Sequence, residues 1–330
     1  MNTMNKYFPY YISILFLINC TQKPELKPNN ARNTDTQKNV QQFFNFEKIY
    51  KTQSKIVSQF FSLRHIRFFS HSVLNFIVRR TKPDYKLVLF GAMNGNWFGD
   101  NSYHLFEWCL THRKDLHPVW MTRNPKVYAF LKEQNKPVVL SPTLKGFRCL
   151  LKARIGVYTN SLKDLAVHPF ATHDKLNVIA LRHGRSVKRV RFARKDHKMS
   201  PIEKKERTLE SQLIKFAIST SEFISELQEE CLLIGPEKHI VTGYPRNDHL
   251  FNVPSNDKKI WDSFLGEHVP KKVVLYGPSW RHGRTPTQFF PFDDFDKSKL
   301  YDFLESQQIL LLLRPHVGEL SNPTVRNFLV

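Results

Sequence analysis

Residues Lys86–Met121 read KLVLFGAMNGNWFGDNSYHLFEWCLTHRKDLHPVWM. The apolar run from Lys86 to Gly91 predicts a strand. Ser102–Arg113 carries apolar residues at helical spacing and predicts a helix. Leu116–Met121 predicts a second strand. A strand, a helix of about ten residues and a strand form a βαβ unit, which implies parallel pairing. The pattern continues outward. Helices are expected at Pro125–Gln134 and Thr143–Ala153, and strands at Pro137–Leu140, Ile155–Tyr158, Leu176–Leu181 and Phe216–Ser219. A helix at Ser221–Leu233 should close at Gly235-Pro236. Lys195–Leu209 is polar and reads as a loop or a solvated helix. A second α/β unit is expected from near His239, with strands at Ile240–Tyr244, Val273–Gly277 and Ile309–Leu313. Helices Lys258–Leu265 and Lys297–Ser306 lie between them.

Composition bounds the rest. The chain has 330 residues, 50 Lys and Arg against 29 Asp and Glu, a net charge of +21 and a pI near 9.8. Hydrophobic residues make up 41% and aromatics 13%, enough to exclude disorder as the dominant state. A mean hydropathy of −0.42 argues against a polytopic membrane protein. The length suggests about two domains. The charge predicts a polyanionic partner: nucleic acid, an anionic membrane or a phosphorylated substrate. No zinc spacing, RNP-type motif or helix-turn-helix pattern appears, which removes nucleic acid. The four Cys (Cys20, Cys109, Cys149, Cys231) form no metal-type spacing, and the last three read as buried thiols.

The N-terminal 85 residues read differently. Lys6, the apolar stretch Tyr10–Ile18 and Cys20 resemble a bacterial lipoprotein signal. The competing reading is an uncleaved membrane-contact segment, since the run is short for a spanning helix. Residues 21–42 are a polar linker. Residues 43–85 interleave Phe60, Phe61, Phe68, Leu74 and Ile77 with Lys51, Lys55, Arg64, Arg67 and Arg79. They predict basic amphipathic helices, suited either to an anionic membrane surface or to ordinary packing.

In open α/β sheets ligands bind beyond the carboxyl ends of strands. Those ends here are basic. Arg182-His183-Gly184 and Lys188 follow one strand, and Thr242–Asp248 (TGYPRND) another. Gly277–His282, with Ser279 and Arg281, follows a third, and Arg314-Pro315-His316 a fourth. Phe98–Ser102, with Asp100 and Asn101, follows the first. Arg offers phosphate a planar fork of donors, Gly lets backbone amides come close, and His takes a proton near neutral pH. The recurrence predicts a phosphate-handling site.

These motifs carry a resemblance. The ordered set His183-Gly184 with Lys188, TGYPRND (Thr242–Asp248), LYGPSWR (Leu275–Arg281) and LLRPH (Leu312–His316) resembles the CDP-glycerol glycerophosphotransferases. FGDNSYHLFEW (Phe98–Trp108) is similar to that family's segment after its first strand. The resemblance covers about Lys86–His316. It implies a GT-B-like architecture of two Rossmann-like domains, here 86–236 for the acceptor and 237–330 for the donor nucleotide. It implies transfer of glycerol phosphate from CDP-glycerol to a lipid-linked acceptor with release of CMP, in teichoic-acid-like polymer synthesis. No metal or other cofactor is expected. It further implies a peripheral position on the cytoplasmic face of a bacterial inner membrane. His183 is the expected base. Arg246, Arg281, Arg314 and His316 are expected on the diphosphate, with Lys188 and Ser279 in support. Asp248 would orient an Arg or bind the donor glycerol, and Asp100 and Asn101 would lie on the acceptor side. Arg182, Arg185 and Ser186 stand where the family commonly has Trp and Thr-Pro. Only 14 residues follow His316, so the second domain is expected to be incomplete. The alternatives are a relative that uses another nucleotide-activated alditol phosphate or sugar, and an inactive truncated form.

Overall fold

The computed structural model describes residues 64–184, 189–194, 199–251, 270–278 and 288–315. The leader, the linker, the first part of the amphipathic region and the helix expected at 258–265 lie outside them. The described residues fall into two compact units, 64–251 and 270–315.

The first unit opens with α1 (Arg64–Arg80) and alternates strands with helices. These are β1 (Asp84–Gly91), α2 (Asp100–His112), β2 (His117–Thr122), α3 (Pro125–Glu133), β3 (Val138–Leu140), α4 (Leu144–Lys152) and β4 (Ala153–Tyr158). Then come β5 (Asn177–Ala180), α5 (Pro201–Leu213), β6 (Ile214–Ser219), α6 (Glu222–Leu232) and β7 (His239–Val241). All seven strands pair in parallel, in the order β3-β2-β1-β4-β5-β6-β7. The chain builds outward from β1 to β3, returns to β4, and builds the other way. The reversal point lies between β1 and β4.

A parallel sheet covered on both faces explains the apolar runs. On β1, Leu87 and Leu89 enter one core layer, with Leu74 and Val78 of α1 and Leu150 and Leu151 of α4. Val88 and Phe90 enter the other, with Phe106 of α2, Trp120 and Leu131 of α3. Helix starts follow side-chain capping. Asn124 accepts from the Lys126 amide ahead of α3, Thr143 from Gly146 ahead of α4, Ser200 from Glu203 ahead of α5, and Ser221 from Ile224 ahead of α6.

The strand at His239–Val241 and the end of α6 depart from the sequence reading, and two open alternatives are narrowed. The strand at His239–Val241 does not open the second unit; it pairs with β6 and completes the first sheet. Short apolar runs do not say which sheet they join, since only the partner strand decides that. Residues 201–213 are a helix: over 201–209 it is the solvated helix that was one of the two readings, and its end, beyond that stretch, buries Glu210, Ser211 and Leu213. The left-handed residue that ends α6 is Leu233 (φ 56), not Gly235. The described part of the amphipathic region, α1, packs Leu74 and Val78 into the core while Val73, Phe76, Arg79 and Arg80 stay exposed. A polar clasp seats it: His71 bonds the Thr172 carbonyl (2.8 Å), and Asn75 donates to Asp174 (2.9 Å). No helix among the described residues is long and apolar enough to cross a membrane.

The second unit is a parallel βαβ element. β8 (Lys272–Tyr276) pairs with β9 (Ile309–Leu313), and α7 (Lys297–Ser306) connects them. Leu300 and Leu304 of α7 pack against Leu311, Leu313 and Phe289. Asp296 caps α7 by accepting from the Ser298 and Lys299 amides.

Candidate active site

Three strand-end loops of the first unit meet at one place, and an aromatic cluster sets the position of the first. Phe98 lies edge-on to Trp120 (ring centroids 4.7 Å apart) and to Tyr103 (4.9 Å). Phe90 and Phe106 pack edge-on at 5.4 Å. Anchored by Phe98, the chain turns through Gly99 and enters α2 with Asp100 in a left-handed conformation (φ 63).

Asn101, fully buried, ties the loops together. Its Nδ2 donates to the Arg182 carbonyl (2.7 Å), beyond β5. Its Oδ1 accepts from the Arg246 amide (3.1 Å), beyond β7. Asp100 Oδ1 accepts from Arg246 Nη1 at 2.9 Å. Both residues were expected to bind the acceptor. In the structure both are bonded to the protein's own loops, as buried polar side chains are. Arg246 was expected on the diphosphate; its guanidinium holds Asp100, and its side chain is 38% exposed.

The loop after β5 carries two unusual conformations. Arg182 is left-handed (φ 57), and Gly184 has φ 137, which disfavours any residue with a Cβ. A Cβ at 184 would also sit 3.2 Å from Arg246 Nη2. His183, between these two turns, is exposed. Partial burial lowers the His183 pKa, and the charges of Arg182, Arg191 and Arg246 add to that, with Asp100 opposing. The imidazole is therefore held neutral at neutral pH, as a base requires. Arg182 is nine-tenths buried, and burial, followed by the charge of Arg191, brings its pKa down to about 10.

A charge network that sequence reasoning missed supports this loop. Glu210 of α5, 1% exposed, accepts from the Tyr158 hydroxyl (2.7 Å) and from Arg207 Nη1 (3.2 Å), with Arg191 Nη1 at 3.6 Å. Burial, with the charge of Glu210 next, raises the Tyr158 pKa well above its usual value. Nothing local marks Glu210, since its partners lie up to 52 positions away.

The reversal point between β1 and β4 was also missed. There the buried carboxylate of Asp164 accepts backbone N–H groups of Asn94 (2.6 Å), Thr159 (3.0 Å) and Asn160 (2.8 Å). Met93, Asn94 and Gly95 are all left-handed (φ 48, 56 and 75). Such a turn offers amides to an anion, and here the protein's own carboxylate takes the position.

Of the other expected site residues, Asp248 is exposed in the 3-10 turn Pro245–Leu250. Arg314 is exposed just beyond β9, its backbone N–H donating to the Tyr276 carbonyl (3.0 Å). Lys188, Ser279, Arg281 and His316 lie outside the described residues.

A doubly wound parallel sheet and a second parallel α/β unit are the parts of a GT-B-like α/β protein. Residues 73–325 match the family described as CDP-Glycerol:Poly(glycerophosphate) glycerophosphotransferase. The chain belongs to that family. A teichoic acid glycerol-phosphate transferase of Staphylococcus aureus (strain NCTC 8325 / PS 47) is 24% identical over 239 residues, 70% of this chain and 60% of the relative. A teichoic acid poly(glycerol phosphate) polymerase of Bacillus subtilis (strain 168) is 23% identical over 274 residues, 81% of this chain and 34% of the relative. The matches thus span less than two thirds of these relatives' own lengths. The wall teichoic acid polymerase TagF has a similar fold, with a TM-score of 0.61 at 20% identity over 84% of this chain and 68% of TagF.

Proposed function

We propose that this chain transfers glycerol phosphate from CDP-glycerol to a hydroxyl of a membrane-bound polyol-phosphate or glycan acceptor, releasing CMP. The observation that carries this reading is His183, held neutral at a strand end among Arg182, Arg191 and Arg246. His183 takes the proton as the acceptor oxygen attacks the phosphorus that bears the glycerol. The new P–O bond replaces the P–O bond to CMP. CMP departs as a phosphate whose second pKa is about 6, so no acid is needed for its release. Positioning and cationic stabilisation carry most of such a step.

The filled reversal point supports an acceptor role for the first unit, because Asp164 occupies the place an anionic nucleotide would seek there. The donor's diphosphate then falls to Arg314, with Lys188, Ser279, Arg281 and His316, and Asp248 orients the donor. Arg246 and its partner Asp100 position the His183 loop. The net charge of +21 and the exposed Val73, Phe76, Arg79 and Arg80 of α1 support peripheral attachment to an anionic cytoplasmic membrane face.

His183→Ala tests the reading. CMP release from CDP-glycerol with a glycerol-phosphate-primed lipid acceptor should fall about 10²–10⁴-fold or more, with thermal unfolding unchanged. Undiminished release by the folded variant would remove His183 as the base.

A further inference from the structure

His71 of α1 stands between two acceptors. Its Nδ1 lies 2.8 Å from the Thr172 carbonyl oxygen, and its Nε2 lies 2.9 Å from Asp174 Oδ1. Neither a carbonyl nor an ionised carboxylate has a proton to give. A neutral imidazole has one N–H and one lone pair, so it satisfies one partner and turns its lone pair on the other. An imidazolium donates to both. Asp174 is held in place for this contact by a second residue of α1. Its Oδ2 accepts from Asn75 Nδ2 (2.9 Å), and its backbone N–H donates to Asn75 Oδ1 (2.8 Å). The His71 side chain is 18% exposed and that of Asp174 62%, so solvent screens the pair from one side only.

We infer that His71 is a proton-operated latch: an imidazolium holds α1 on the first unit, and the helix loosens as that ring gives up its proton. The latch joins two parts of the molecule. The open face of α1 carries Phe76, Arg79 and Arg80, while Asp174 lies three residues ahead of β5, whose other end leads into the His183 loop. The neighbouring groups leave the role to His71. His173, beside Asp174, is buried and turns its Nε2 to the Leu150 carbonyl of α4 (2.9 Å). Burial lowers its pKa; the charges of Arg154 and His71 act the same way, against the Leu150 bond and Asp174. His168 is buried ahead of the turn Pro169–Ala171, which packs on α1. Lys175, and Lys145, Arg148 and Lys152 of α4, add exposed cations, which oppose the imidazolium only through solvent.

Amide hydrogen exchange on the full chain tests this without turnover. Protection of the α1 amides, corrected for the chemical exchange rate and referred to α3, should fall about threefold or more between about pH 5.5 and about pH 8. The sign follows from the bonds: the held helix favours the protonated ring, so its stability is present at low pH and is lost as pH rises. His71→Gln presents one amide group that does not titrate, and should give protection that no longer varies with pH. Asp174→Asn makes the complementary change. Its amide donates to the lone pair of a neutral His71 ring while its carbonyl still accepts from Asn75, so protection should hold or rise toward pH 8. Wild-type protection that is flat with pH overturns the latch. So does a fall that persists undiminished in His71→Gln, which would assign it to His173, or in Asp174→Asn. Either variant suffices with wild type, and the result does not depend on whether the chain transfers glycerol phosphate.

Discussion

At the scale of single residues, the site is governed by who neutralises whom. Among the described residues, the charge of Asp100 raises the His183 pKa, against burial and three Arg. The acid limb of the pH–rate profile should therefore bend below 6.5, the ordinary His value, because protonation removes the base. Asp100→Asn removes the opposing negative charge and frees Arg246, so the bend should move to still lower pH. Titration of the His183 ring by NMR should follow the same direction in the unliganded chain. A bend that moves upward would show that Asp100 acts on something else.

At the scale of elements, the loops after β1 and β4 are joined through one carboxylate. Asp164→Ala leaves the amides of Asn94, Thr159 and Asn160 without their acceptor, at a cost of roughly 3–5 kcal/mol. Denaturant unfolding measures it. Burial raises the Asp164 pKa to about 6, well above the value near 3.8 of an exposed aspartate, despite the amides that oppose the shift. The folded chain therefore holds this proton more tightly than the unfolded chain. The stability from this group is present in full below about pH 4 and is lost as pH rises through about 6, up to about 3 kcal/mol in all. Gly91 belongs to the same junction: a Cβ there would lie 2.2 Å from the Asp164 carbonyl oxygen. Gly91→Ala should lower the melting temperature by several degrees, or force β1 away from the turn. On the other side of β4, Glu210→Ala leaves Arg191 and Arg207 without their buried carboxylate and should cost about 3–5 kcal/mol.

At the scale of the molecule, the proposed function divides the charge of +21 between two tasks. Arg182, Arg191 and Arg246 surround His183, and Arg314 ends β9. Arg79 and Arg80 lie on the open face of α1, with Arg80 stacked 3.7 Å over the exposed Phe76 ring. The full chain should co-sediment with vesicles rich in phosphatidylglycerol and not with neutral phosphatidylcholine vesicles. Binding should weaken in 1 M salt, where screening shortens the reach of charge to about 3 Å. Equal binding to both vesicle types, or none to either, would count against an electrostatic membrane contact.

The sequence by itself determined the α/β class, the order of strands and helices, and the strand ends where Arg, His and Gly gather. Those properties rest on local periodicity, capping residues and short motifs, which act over a few positions. Its family resemblance agrees with the match over residues 73–325. Tertiary structure decided which sheet His239–Val241 joins, because an apolar run is indifferent to its partner until pairing occurs. It decided that Asp100 and Asn101 hold loops together, since their partners Arg182 and Arg246 lie 81 and 146 positions away. It decided, too, that Asp164 and Glu210 matter, because burial turns an ordinary polar side chain into one that must find a partner.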